Sequence, residues 1–392
     1  MTIVGLGVRL PAAGARAPLA TRAGAPLPRY AVVAPSGLAS LRPHWAALAD
    51  RAVGDNAFFH PDFALAAMAH LGRDVAVAAV AAGDGRLLAA VPFTRARLGR
   101  VAPAVRVWSH KYGPLGTPLV DAADPVAAAA ALIDGLAPAG SGVAVVIPDL
   151  PLDGPVAAAL VAAAQRQERP VDILGPRLRA ILDRPPGGGV DLRATLPARR
   201  RKELGRQFRR LADLGTVTVE SATDPRQILP ALDEFMTLEA AGWKGRGGTA
   251  LISSPESAAF VRAAVADRAA SGAARIDWIA VGGRPVAMLV SFMSGATAFT
   301  WKVAYDETFA RFSPGAQLML EAAARIFAET AVERIDSCAD ANHPMIDRLW
   351  AGRMTVGTMV IGPPDGSLMH RAGLVLANAE AVARAGLKRL RR

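Results

Sequence analysis

At 392 residues the chain is long enough for two domains of ordinary size, and 52% hydrophobic with 20% charged residues excludes a disordered chain. The formal net charge is +11, but it is concentrated: residues 193–210 hold eight Arg/Lys and one Glu, and residues 371–392 hold six Arg/Lys and one Glu. The remainder is near balance, which excludes a basic surface spread over the whole molecule and points to local anionic partners.

Residues 1–29 are rich in Gly, Ala, Pro and Arg and read as a loose arm. The next unit, 30–189, opens with a strand at Tyr30–Ala34 and a helix near Leu38–Arg51. Pro61-Asp62 marks the first turn of a helix within Phe58–His70. Strands Asp74–Ala82 and Arg86–Thr94 flank the hairpin signal Gly83-Asp84-Gly85. Trp108–Pro118 is a Gly/Pro-broken loop. Helix Pro125–Leu136, strand Gly142–Ile147, helix Pro155–Gln167 and strand Val171–Leu174 follow. The run Pro185-Pro186-Gly187-Gly188-Gly189 is the strongest punctuation and is read as the boundary.

The second unit, 190–366, opens with a basic helix at Pro197–Leu214 and a strand at Val217–Ser221. Helix Ile228–Ala241, a glycine-rich loop at Trp243–Leu251 and helix Ser257–Ala270 come next. Strands Ala274–Val281 and Arg284–Met293 surround Gly282-Gly283, followed by strand Ala296–Tyr305. The turn Ser313-Pro314-Gly315 opens helix Ala316–Thr330; strands Arg334–Ser337 and Met354–Ile361 complete the unit, and 367–392 is a basic amphipathic helix. The fold class is therefore mixed α/β, with the element order of the first half repeated in the second.

The Ser-Pro-Gly turn leaves N–H groups at a helix N-terminus, a place for an anion, although the same residues suit an ordinary capped helix. On the strand before it, simple alternation puts Trp301, Val303 and Tyr305 on one face and Lys302, Ala304 and Asp306 on the other. A buried Lys302 would need a partner, with Asp306 or Asp336 in reach. The basic helix presents Arg199, Lys202, Arg206, Arg209 and Arg210 on one face, either a solvated face or a wall for phosphates. The one cysteine, Cys338, excludes an internal disulfide and reads as a core thiol. No Ser/His/Asp order, Cys/His pair or metal-ligand spacing stands out. No signal peptide and no run of about 18 apolar residues is found, so a cytoplasmic place is expected, with peripheral contact to the inner membrane face through the basic tail.

The run Trp243-Lys244-Gly245-Arg246-Gly247-Gly248-Thr249-Ala250-Leu251, with Trp301-Lys302-Val303-Ala304-Tyr305-Asp306 and Arg311-Phe312-Ser313-Pro314-Gly315, resembles the bacterial CelD/BcsL-type GNAT acyltransferases, named for cellulose biosynthesis. Their relatives of the FemX type carry two GNAT-like halves. The resemblance covers residues 190–362 and, more weakly, 31–190 through Asn56-Ala57-Phe58-Phe59-His60-Pro61 and Trp108-Ser109-His110-Lys111-Tyr112-Gly113. It departs from the usual glycine-rich phosphate loop in keeping only Gly315. It implies two tandem GNAT-like domains and transfer of an acyl group from a thioester, acyl-CoA, to an amine of a sugar or small metabolite, in polysaccharide biosynthesis. An acyl carrier protein or charged tRNA as donor carrier, and a non-catalytic GNAT-like module, stand as alternatives. Arg311, Phe312, Ser313, Gly315, Ala316 and Gln317 would hold the donor. Tyr305 would act as acid and His343 as base, with Lys302 and Asp336 beside them. Trp243, Lys244, Trp301, Asp306 and Asp340 would meet the acceptor.

Overall fold

A computed structural model describes residues 28–186 and 191–390, with the side chains of 384–390 left out of the description. The expected arm over 1–29 lies almost wholly outside these residues, as do Gly187, Gly188 and Gly189.

The first half runs β1 (Arg29–Val33), α1 (Leu38–Ala49), α2 (Pro61–Leu71), β2 (Ala76–Ala81), β3 (Leu87–Leu98), β4 (Ala102–Val107), β5 (Leu119–Val120), α3 (Pro125–Leu136), β6 (Ala144–Pro151), α4 (Pro155–Arg166) and β7 (Val171–Asp183). The second runs α5 (Ala198–Ala212), β8 (Val217–Ala222), α6 (Pro225–Ala241), α7 (Trp243–Arg246), α8 (Pro255–Ala270), β9 (Ala274–Val281), β10 (Arg284–Ser294), β11 (Thr297–Tyr305), α9 (Pro314–Glu329), β12 (Arg334–Asp336), β13 (Gly352–Ile361) and α10 (Leu368–Leu390). Helix starts follow local chemistry. Asp124, Asp224 and Ser254 each accept an N–H of the turn they cap, with Pro as the next residue. Gly282 and Gly283 have φ of 57° and 80°, the paired left-handed backbone of a tight hairpin between β9 and β10.

All these strands join one mixed sheet in the order β1-β2-β3-β4-β6-β13-β7-β12-β11-β10-β9-β8, with β5 on β3. The seam differs from the expectation that Met354–Ile361 closes the second unit. That segment, β13, lies between β6 and β7 of the first half, while β7 reaches across to β12. Strand β7 also runs far past Leu174: Gly175, at φ 54°, sits at a register shift opposite Gly357, so Gly-Pro here bends the strand rather than ending it. Strand β4 has no counterpart among the strands read from the sequence. Its parallel pairing with β6 begins only at Ala104, beyond the proline.

Helices α1, α3 and α4 cover one face of the first-half sheet and α10 the other. In the second half, α6 and α8 cover one face and α5 and α9 the other. The halves are stapled by aromatic packing. Phe58 and Phe63, with Tyr112 of the 108–118 loop, meet Phe260, Phe292, Phe299 and Trp301 edge-on at 5.3–6.4 Å. Such pairs are worth about 0.5–1.5 kcal/mol each beyond their buried area. The motifs around Asn56 and His110 therefore act as scaffold: burial, then the nearby Lys302, lowers His110 to about 4 and keeps it neutral.

Candidate functional site

Strands β11 and β12 pair over only three residues, Thr297–Phe299 against Arg334–Asp336, and β11 then continues to Tyr305 paired with β10 alone. The divergence opens a cleft of about 640 Å³ at the end of β11. It is walled by Glu239, Trp243 and Lys244 from α6–α7, by Val303, Ala304 and Tyr305, by Ser313 to Ala316 at the start of α9, and by His343 to Met345. Arg200 and Glu203 of α5, themselves paired at 3.0 Å, and Arg348 close the mouth.

Of the residues singled out in the sequence, the structure brings Trp243, Lys244, Tyr305, Ser313, Gly315, Ala316 and His343 together in this cleft. The Trp243–Leu251 segment is not an open loop: Trp243–Arg246 is a helical turn, and Trp243 stands 58% exposed rather than serving as a buried anchor. The turn is held by two carboxylates. Glu307 accepts from Trp243 N and Arg246, each at 2.7 Å. Glu239, 4% exposed, takes Lys244 Nζ at 2.7 Å on one oxygen and Leu251 N at 2.7 Å on the other. Lys244 Nζ also donates to Val303 O at 3.2 Å, which ties α7 to β11. Sequence reasoning missed Glu239. A signal was present: it continues the buried stripe Ile228, Ala231, Leu232, Phe235, Met236 at helical spacing, where a carboxylate is costly unless paired.

The start of α9 offers less than a full amide cradle. Ser313 is left-handed at φ 52° and makes no side-chain cap. Its carbonyl accepts Ala316 N at 3.0 Å and Gln317 N at 3.1 Å. Pro314 has no N–H, so Gly315 N remains as the amide of this turn without an acceptor among the described residues. A Cβ at Gly315 would stand 3.5 Å from Met345 Sδ and 3.7 Å from Tyr305 Cδ1, so the glycine lies on the cleft wall.

The other expected site residues are placed elsewhere. Gln317 is fully buried and bridges Arg193 and Leu204 O at 2.8 Å each, fixing α5 to α9. Phe312 is core, with Arg311 over its ring. Asp306 caps the turn at Thr308 and pairs with Arg284 at 2.5 Å. Trp301 is 6% exposed and donates from Nε1 to Tyr112 O at 2.7 Å. Asp340 is exposed in the loop after β12 and does not line the cleft. Asp336 faces a separate cavity of about 400 Å³ at the seam and pairs with Arg179 at 3.2 Å. Cys338 packs against the seam core, and burial pushes its thiol well up, as expected for a core thiol.

Strand alternation fails at β11 for a definite reason. The register passes from Val290↔Lys302 to Ser291↔Thr300, so Trp301 is the extra residue of a bulge. Trp301 and Ala304 join the α6/α8 core, Val303 and Tyr305 the α5/α9 core, and Lys302 turns to the Trp301 side. Its Nζ sits 5.2 Å from the Tyr112 ring centre and 5.6 Å from that of Trp301, half-buried behind the cleft wall. The partners expected for it are taken, Asp306 by Arg284 and Asp336 by Arg179. Burial, then the Lys244 charge, lowers Lys302 from 10.5 to about 8. His343 Nδ1 accepts from Met345 N at 3.3 Å and Ile346 N at 3.4 Å, so the neutral ring carries its proton on Nε2. In that tautomer Nε2 is the donor nitrogen of the ring.

Residues 198–343 match the acetyltransferase (GNAT) domain family. No curated protein matches the chain. Among solved structures, the C-terminal domain (DUF2156) of a putative lysylphosphatidylglycerol synthetase from Agrobacterium fabrum is similar with a TM-score of 0.55 at 12% identity, over 88% of this chain and 97% of that one. FemX gives 0.55 at 11%, over 83% and 96%. A conserved protein of unknown function from Bacteroides thetaiotaomicron gives 0.54 at 14%, over 82% and 97%. These likenesses show the shared fold alone.

Proposed function

We propose that the chain moves an acyl group from a thioester donor, acyl-CoA, directly to an amine of a sugar or small metabolite, in the cleft at the end of β11. The observation that carries this reading is the divergence of β11 from β12 beside the start of α9, with the unbonded Gly315 N–H and the phenol of Tyr305 on its wall. In the reaction the amine nitrogen attacks the thioester carbon, the C–S bond breaks, and one proton passes overall from nitrogen to sulfur. Tyr305 is the acid for the departing thiolate. The Nε2–H of His343 and the ammonium of Lys244 are donors for the developing oxyanion. Glu239 holds Lys244 in place, and exposed Trp243 forms the acceptor's wall. The catalytic half begins at residue 190, the first half shaping the seam and the acceptor side.

The basic helix favours one second reading, a charged tRNA or acyl carrier protein as donor carrier. Arg193, Arg199, Arg201, Lys202, Arg206 and Arg209 line a groove of about 870 Å³ on α5, whose other residues Arg200 and Glu203 border the cleft itself. Calorimetric titration with acetyl-CoA, longer acyl-CoAs and charged tRNA tests both. Binding of an acyl-CoA, abolished by Gly315→Asp, supports the first reading. Binding of charged tRNA alone replaces it with the second, and binding of neither sinks both.

A further inference from the structure

Helix α10 packs onto the outer face of the first-half sheet through one narrow side. His370, 2% exposed, Gly373, Leu374 and Ala377 face inward at helical spacing. Gly373 permits the close approach: a Cβ there would stand 2.8 Å from Leu98 O. The opposite side of the same helix is apolar and uncovered. Leu368 is 82% exposed, Val375 69% and Val382 66%, and exposed Met369, Ala372, Leu376 and Ala379 fall between them. At 100° per residue Leu368, Ala372, Val375, Ala379 and Val382 lie within about 40° of one line, turned away from the packed face. This stripe is about 21 Å long at 1.5 Å per residue. Such a contiguous apolar strip on an ordinary surface marks a contact site.

Charge decides the occupant. From Arg371 onward the chain carries Arg371, Arg384, Lys388, Arg389, Arg391 and Arg392 against the single acid Glu380. Glu380 is already neutralised by Arg100 at 2.8 Å. A second copy is disfavoured. Parallel pairing of two stripes would bring the cationic ends together, and antiparallel pairing would set Arg371 against them. Nucleic acid accounts for the cations but leaves the apolar strip in water. We infer that α10 lies in the plane of an anionic lipid surface, its apolar stripe among the acyl chains and its cationic end at the headgroups. This goes beyond the acyl-transfer reading and does not depend on it.

The test is flotation of the full chain with vesicles of phosphatidylcholine alone and of phosphatidylcholine mixed with phosphatidylglycerol, at low and high salt. Val375→Asp/Val382→Asp alters two exposed positions, so its melting temperature should match the parent's. The expected result is flotation with anionic vesicles, weaker with neutral ones and at high salt, and reduced roughly tenfold or more in the double variant. Absence of flotation overturns the inference. So does flotation that the double variant leaves unchanged, which would locate the lipid contact elsewhere. Sedimentation of the lipid-free chain covers the remaining case: a dimer that dissociates in the double variant would assign the stripe to self-association instead.

Discussion

Arg179 of β7 and Asp336 of β12 form an ion pair, Nη1 to Oδ2 at 3.2 Å, with both side chains at most 4% exposed. The arginine also donates to Pro114 O at 2.9 Å, and Asp336 accepts Cys338 N at 2.7 Å. One guanidinium thus ties together strands and loops of both halves at the point where the shared sheet crosses the seam. Arg179→Met leaves a buried carboxylate unpaired and is expected to cost on the order of 3–5 kcal/mol of stability. Chemical denaturation measures it. Asp336→Asn in the same background should recover part of the loss; without that recovery the pair is not the source.

Since Asp336 is engaged by Arg179, Lys302 breaks no salt bridge when it is removed. Lys302→Met is expected to keep or raise the melting temperature at neutral pH while turnover falls. The pH dependence has a definite sign. Below about 8 the ammonium is charged in both folded and unfolded states, and the folded state carries the desolvation cost. Between about 8 and 10.5 the unfolded chain holds a proton the folded one has lost, so parental stability rises relative to Lys302→Met across that window. Melting curves of the two proteins over that range check it. Parallel curves would mean that Lys302 titrates as in water.

At Gly315 a carboxylate would face the one unbonded amide of the turn. Gly315→Asp is expected to abolish donor binding with a near-parental melting temperature, because the added Cβ meets its neighbours only at ordinary contact distance. Calorimetry with acyl-CoA reads the first outcome and thermal unfolding the second. Unaltered affinity would remove α9 from the donor site.

The cleft floor separates two kinds of residue. Trp243→Ala, at an exposed position, should raise the acceptor KM and leave stability within about 0.5 kcal/mol. Glu239→Gln should cost both stability and turnover, since it weakens the hold on Lys244 and on Leu251 N at once. Steady-state kinetics beside thermal unfolding distinguishes them; equal effects on both readouts would merge the two roles.

Local physics made most elements legible from the sequence. Pro at helix starts, Gly-Gly and Asp-Gly hairpins and apolar periodicity fixed β8 to β12 and α8 to within two or three residues, and the motif around Trp243, Tyr305 and Gly315 pointed to residues that do share one cleft. What local signals could not carry was partnership across the chain. Nothing in Met354–Ile361 says that it inserts between β6 and β7, because strand pairing is a property of two distant segments. Alternation assigned Trp301 to the face of Val303 and Tyr305, whereas the bulge turns it to the side of Lys302 and Ala304, because a bulge depends on the neighbouring strand's register. Asp306 at the end of the same strand and Asp336 on the neighbouring one are plausible partners from the sequence, but Arg284 and Arg179 hold them, and only tertiary packing decides which cation reaches a carboxylate.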